Sequence, residues 1–412
     1  MPDSINAERL WQSLMMMADI GATAGDGCNR QALTDEDRAG RDLFWHWCEE
    51  AGCRVDVDAM GNMFARRPGR HDDLPAVATG SHLDTQPYGG RFDGVLGVLA
   101  GLEVIRTLND RGIETERPIE VVNWTNEEGS RFGPPTMSSA VYAGALPQDA
   151  AYAARDDQGR TFGEELDRIG YRGEAPCAPR DWHSFLELHI EQGPVLEASG
   201  KTIGVVTAGQ GMRWFQCRTR GQSAHAGTTP MPLRRDALES AADLVLRIRD
   251  TALAHAPHGV ATVGQLRVRP DSPNVVPGGV DFTIDMRHPE SASIESMTAA
   301  LKTAFEEVAA TRAATAEIEE TFASAPVDFD AGCADSVRRA AGHLGLPHQD
   351  MVSGATHDAL KVAAVAPAAM IFVPSQGGLS HNEAEWTSPA DCAAGASTLL
   401  HAILGRASAG TE

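Results

Sequence analysis

A histidine and an aspartate two positions apart, His82 and Asp84, follow the apolar run Ala76-Val77-Ala78-Thr79-Gly80-Ser81. A pair of glutamates, Glu127 and Glu128, follows Ile119-Glu120-Val121-Val122-Asn123-Trp124. His189 closes Phe185-Leu186-Glu187-Leu188, and His381 stands beyond Met370-Ile371-Phe372-Val373 and a glycine-rich loop. Imidazoles mixed with carboxylates suit Zn, Mn, Co or Ni better than Ca or Mg. Residues two apart on a strand point to the same side, so His82 can bind a metal while Asp84 holds its ring or its neighbourhood in place. Asp93, after Tyr88-Gly89-Gly90-Arg91-Phe92, is a short carboxylate able to bridge two cations. Glu127 and Glu128 are adjacent and do not easily both point at one ion. One can bind while the other acts as a base. A two-metal hydrolytic site needs that division, because a carboxylate that is not a ligand must take the proton of the attacking water.

Taken singly, each residue has an ordinary reading. Asp93 fits a helix N-cap, a Glu pair is usually solvated, and a lone histidine is more often filler than ligand. His46, His71, His255, His258 and His343 lack any such context and read as structural. What separates the other group is its placement. Each member follows a run that reads as a buried strand, and ligands of open α/β sheets collect beyond the carboxyl ends of strands.

The elements that must position these groups can be traced along the chain. At 412 residues the chain exceeds what one core normally supports, which predicts two domains. Helical spacing covers residues 5–20 and 35–51, and alternation predicts a strand at 53–58. From Val77 to about Gly209 strands and helices alternate, as a mostly parallel sheet requires. The helix from Gly94 to about Asp110 carries Val95, Leu99, Leu102 and Ile105 on one face, with Gly97, Ala100 and Gly101 allowing close approach to the sheet. The texture changes near Gly211. A strand at 214–220, a helix at 235–251, strands at 261–268 and 280–286, a helix at 293–311 and a final strand to about Ala323 form a small α+β unit. A helix at 333–344 and the strand before His381 then resume the first domain. The expected fold is α/β: a mostly parallel sheet domain (1–210 and 325–412) with a dimetal site, interrupted by a smaller α+β domain at 211–324.

Composition narrows the function class. A net charge of −22 disfavours nucleic acid and anionic membranes as partners. No apolar run approaches the ~20 residues of a membrane-spanning helix. Seven cysteines without a CxxC pair suggest reduced thiols. The start, Met1-Pro2-Asp3-Ser4, lacks the basic-then-apolar pattern of a signal peptide. A cytoplasmic protein is expected.

Longer motifs carry a family resemblance. Gly80-Ser81-His82-Leu83-Asp84-Thr85, Gly89-Gly90-Arg91-Phe92-Asp93-Gly94, Asn126-Glu127-Glu128-Gly129-Ser130-Arg131-Phe132 and Glu187-Leu188-His189-Ile190-Glu191-Gln192-Gly193 resemble the amidase/hydantoinase-carbamoylase branch of the M20 metallopeptidase superfamily. So do the stretch from Gly221 through His225 to Pro230, Asp271-Ser272-Pro273-Asn274-Val275-Val276-Pro277 and Ser380-His381-Asn382-Glu383. The resemblance implies one divalent metal on His82, Asp93 and His189 and a second on Asp93, Glu128 and His381. It makes Glu127 the general base and Asp84 the partner of His82. His225 would stabilise the oxyanion, reaching the other subunit of a homodimer, and Gln192, Asn274 and Arg287 would bind substrate. The inserted domain would serve as dimerisation unit and lid. The implied substrate is a small carbamoyl or ureido carboxylate, an N-carbamoyl-L-amino acid first, with carbamoyl-β-alanine and allantoate as alternatives. An aminoacylase or dipeptidase on the same fold is disfavoured by His189, Gln192 and the His225 loop, and a non-catalytic paralogue by the full ligand set. Two departures stand out: Thr356 replaces a glycine in Ser353-Gly354-Ala355-Thr356-His357-Asp358-Ala359, and Pro134–Ser139 is a proline-rich variation expected to border the substrate.

Overall fold

The computed structural model describes residues 4–312 and 314–408. Met1, Pro2 and Asp3, read above for a leader, lie outside the described residues. The chain divides into two compact units, one of residues 1–207 and 328–412, the other of residues 208–327.

The larger unit is built on a nine-stranded sheet. Its four central strands, Ile119–Trp124, Ala76–His82, Trp182–Ile190 and Ala368–Val373, lie side by side and parallel. Antiparallel strands flank them on both sides: Met63–Arg67 pairs with Ile119–Trp124, and Ile203–Gly209 with Ala368–Val373. The central strands are buried on both faces, which is why they read as nearly unbroken apolar runs. Their register sets the site. His82 lies opposite Trp124, and His189 opposite Phe372, so the carboxyl ends finish at one edge of the sheet.

The Val95–Asp110 helix is buried nearly all round, packed between the sheet and the Ala7–Ala18 and Pro389–Ser408 helices. Small residues allow this, as the spacing predicts. A methyl added at Gly101 would press on the side chains of Thr79 and Val121, and one at Gly97 would overlap the Leu188 carbonyl. Close seating of this helix brings its amino end, with Asp93 and Gly94, to the strand ends. Gly94 has φ +69, and a side chain there would strike the His82 imidazole, so glycine is required on both counts.

The smaller unit is an antiparallel five-stranded sheet with the helices Ala237–Leu253 and Ser291–Thr311 on one face. Burial alternates along Gly211–Arg220: Phe215, Cys217 and Thr219 face its core, while Trp214, Gln216 and Arg218 point away. The single strand expected at 261–268 is instead two, Val260–Thr262 and Leu266–Arg269, both paired with Gly279–His288 and separated around Gly264. Between Trp124 and Trp182, three short helices (Met137–Tyr142, Gln148–Ala153, Phe162–Ile169) replace any further strand. All seven cysteines are unpaired. Among the described residues, no helix is long and apolar enough to cross a membrane.

Candidate metal centre

Three elements bring His82, His189 and Asp93 together: two adjacent strand ends and the turn before the Val95–Asp110 helix. His82 Nδ1–H donates to the backbone carbonyl of Asp84 at 2.8 Å, and His189 Nδ1–H to that of Ile190 at 2.9 Å. Both rings therefore turn Nε2 inward. His82 Nε2 lies 3.7 Å and His189 Nε2 3.1 Å from the same oxygen, Asp93 Oδ1. The other oxygen, Oδ2, lies 3.5 Å from His381 Nε2, which is 3.5 Å from Glu128 Oε2. Two donor groups, His82–Asp93–His189 and Asp93–Glu128–His381, thus share Asp93, one through each carboxylate oxygen. Such convergent imidazoles and carboxylates could hold cations, and the set fits divalent Zn, Mn, Co or Ni.

The acids around the pair are buried. Glu127 stands outside both groups, with Oε2 3.5 Å from His82 Nε2. Burial pushes its carboxyl well above the ordinary range, reinforced by the charges of Asp358, Glu128, Asp84 and Asp93. Glu128 is raised in the same way by burial and by Asp93, while Gln86 donates to both of its oxygens at 3.0 and 2.7 Å. Burial lowers His82 to about 4, which keeps its ring neutral. Burial opposes a charge on His189, but the hydrogen bond and charge of Asp93 win and raise it to about 9. Burial also opposes the Asp93 carboxylate, yet His189, His82 and His381 hold it below the usual range. Asn126, Gln192 and His381 all have positive φ, near 60°, 58° and 53°, which marks a backbone bent to place side chains.

These shifts set how metal loading depends on pH. Below about pH 9 the metal-free site keeps a proton on His189, and an entering ion must displace it. Affinity therefore falls as pH falls, by about one decade per unit for each proton released. Calorimetric titration in buffers of different ionisation enthalpy is expected to show proton release on loading. Loading that is independent of pH between about 6 and 8 would contradict this arrangement.

Not every expected contact is made as anticipated. The Asp84 carboxylate is 4.0 Å from His82 Nδ1 and does not orient the ring; the Asp84 carbonyl does. Its side chain instead accepts the backbone N–H groups of Glu127 and Glu128 at 3.3 and 3.2 Å, fixing the turn that carries both glutamates. Burial, with the charge of Asp37, raises Asp84 to about 7. Gln192 reaches the centre, donating through Nε2 to Asp93 Oδ2 at 2.8 Å. The Pro134–Ser139 loop braces the same glutamate turn: Thr136 N–H donates to the Glu127 carbonyl, and Ser138 accepts from Thr125 N–H. Thr356 is not among the residues with positive φ, so the missing glycine imposes no backbone strain.

His225 and Asn274 lie in the smaller unit, joined in a two-stranded ribbon where His225 pairs with Val275 and Ala226 N–H donates to the Asn274 carbonyl. His225 Nδ1 accepts the N–H groups of Gly227 and Thr228 at 3.0 and 3.2 Å, which leaves its proton on Nε2. Arg287 sits on the neighbouring sheet, its Nε and Nη2 edge held by both oxygens of Asp285 at 2.8 and 2.7 Å.

Several buried polar groups at the centre have no role that the sequence suggests. Glu187 accepts from Ser81 and from Ala359 N–H behind His189. The His357 ring lies 4.5 Å from that of His189, and Asp358 accepts from Ser139. Glu385 accepts the N–H groups of Phe92 and Asp93. The stretch 353–359 was visible as a motif, but a lone Glu385 in an acidic loop carries no pattern of its own.

The profile of Peptidase family M20/M25/M40 matches residues 78–405, and the chain belongs to that family. It is 49% identical to an N-carbamoyl-L-amino-acid amidohydrolase of Rhizobium meliloti over 400 residues, covering 97% of this chain and 96% of that protein. It is 40% identical to an N-carbamoyl-L-amino acid amidohydrolase of Geobacillus stearothermophilus, over 97% of this chain and 98% of that one. A crystal structure of an amidase of the hydantoinase/carbamoylase family from Burkholderia multivorans matches with a TM-score of 0.97 and 55% identity, covering 99% of both chains.

Proposed function

We propose that this chain is a metal-dependent amidohydrolase that cleaves the ureido C–N bond of N-carbamoyl-L-amino acids, releasing the amino acid, ammonia and carbon dioxide. The observation that carries the reading is the division of Asp93 between two donor groups, with Glu127 beside them and in neither. Near-full-length similarity to N-carbamoyl-L-amino acid amidohydrolases supports the substrate class.

His82, Asp93 and His189 would hold one divalent ion, and Asp93, Glu128 and His381 the other. When bound, such ions supply a Lewis acid for the ureido carbonyl and lower the pKa of water. Glu127 takes the proton of the attacking water, and burial, which raises its carboxyl above the usual range, favours its holding that proton. Glu127 then returns that proton to the departing nitrogen. Asp84 keeps Glu127 and Glu128 apart in role by gripping the N–H of each. His225 offers its Nε2–H to the developing oxyanion, and the Gly227 and Thr228 N–H groups that hold Nδ1 fix this tautomer. Arg287, with Asn274, binds the substrate carboxylate, and Asp285 sets the plane of the guanidinium. Gln192 contacts the polar end of the substrate. The smaller unit acts as lid and dimer contact of a homodimer, and the seven unpaired cysteines accord with a cytoplasmic protein.

Ammonia release from a substrate panel tests this reading. After chelation and refilling with Mn, Zn, Co or Ni, N-carbamoyl-L-amino acids are expected to turn over faster than carbamoyl-β-alanine, allantoate or N-acyl amino acids. Faster release from either other ureido compound would move the assignment within the branch. Cleavage of N-acyl amino acids alone would overturn it.

A further inference from the structure

The loop that carries His381 must be held against the turn that carries Asp93, though the two are almost 300 positions apart in the chain. Glu385 makes that link. Its side chain is 2% exposed, and one oxygen accepts both the Phe92 and the Asp93 backbone N–H at 3.1 Å. The other oxygen lies 2.9 Å from the Ser380 hydroxyl, which lies 3.1 Å from Asp93 Oδ2. Its own N–H donates to the Asn382 carbonyl, closing a tight loop just beyond His381. Room for the carboxylate comes from Gly90, where an added methyl would overlap it. On the outer side the same loop is tied down by Thr23, whose hydroxyl donates to Glu383. A carboxylate buried this completely is costly unless its hydrogen bonds are made. Glu385 spends its hydrogen bonds on one metal-ligand turn and on the serine next to another ligand.

We propose that Glu385 is a positioning residue, fastening the Asp93 turn to the His381 loop and thereby setting the geometry of the Asp93–Glu128–His381 group. The proposal rests on the two-metal reading above. It makes Glu385 responsible for the second ion more than for the first, because His82 and His189 stand on strands that Glu385 does not touch.

The test is titration of metal-free protein with Co, read by calorimetry and by the visible spectrum of the ions, beside steady-state kinetics. In Glu385→Ala one of the two ions is expected to lose about 10–100-fold in affinity, with the other changed only a few-fold. The spectrum of the dicobalt form should shift, and kcat should fall with little change in KM. Glu385→Gln keeps an oxygen for the two N–H groups and should restore most of the binding. Gly90→Ala should reproduce the Glu385→Ala defect by displacing the carboxylate, and the double variant should be no worse than Glu385→Ala alone. Should Glu385→Ala not fold, Ser380→Ala cuts the side-chain arm of the link and carries the same expectation, a selective loss at one of the two ions. Wild-type affinities and an unchanged spectrum in these variants would overturn the proposal, as would additive losses in the double variant. Failure of the reading beneath it shows separately, as a wild-type protein that takes fewer than two ions.

Discussion

Replacing Glu127 with Gln is expected to leave both ions bound and to lower turnover by about 10³-fold, within the range general acid–base catalysis supplies. That loss corresponds to about 4 kcal/mol of transition-state stabilisation. Gln has nearly the same shape, and it keeps the N–H that Asp84 accepts. Neither donor group includes Glu127, so metal content and the fold have no reason to change. What goes is the one carboxylate next to the centre that can carry a proton between water and leaving nitrogen. Ammonia release measured beside metal content separates the two effects. A near-normal rate would remove Glu127 from the mechanism, and loss of metal would make it a ligand.

Asp93→Asn is expected to have the opposite pattern, losing the ions first and activity as a consequence. Asp93 is the only residue in both donor groups. Its carboxylate is buried, and its charge is held in place by three imidazoles. An amide offers one oxygen and no charge, so it serves at most one group and leaves the cations unbalanced. Each affinity should fall by more than about 100-fold, beyond the 10–100-fold typical of losing an outer hydrogen-bond partner. Metal analysis after dialysis checks this. Two ions retained in Asp93→Asn would show that the bridge is not needed.

Much of the centre was legible because its ligands follow apolar runs. Strands buried on both faces have no polar alternation, so His82, Glu127–Glu128 and His189 stand out where the runs end. The limits are equally physical. Spacing of two says that His82 and Asp84 share a side, but not which atom of Asp84 meets the ring; the carbonyl does, and the carboxylate serves the next strand's turn. Glu187, Asp358 and Glu385 are buried acids made tolerable by hydrogen bonds from elements remote in the chain, such as Ala359 N–H to Glu187. No local pattern separates such a residue from a solvated one. The split of 261–268 was hidden for a related reason. Its exposed strands carry Leu266, Arg267, Val268 and Arg269 against a partner, so pairing rather than a core decides where they break.

The proposed mechanism needs two ions that share Asp93 and serve one hydrolysis. The most direct measurement is stepwise addition of Mn or Co to the metal-free protein while following ammonia release from an N-carbamoyl-L-amino acid. Activity is predicted to be absent without metal and to reach its plateau at two ions per chain. A plateau at one ion, or turnover that survives complete chelation, would contradict it.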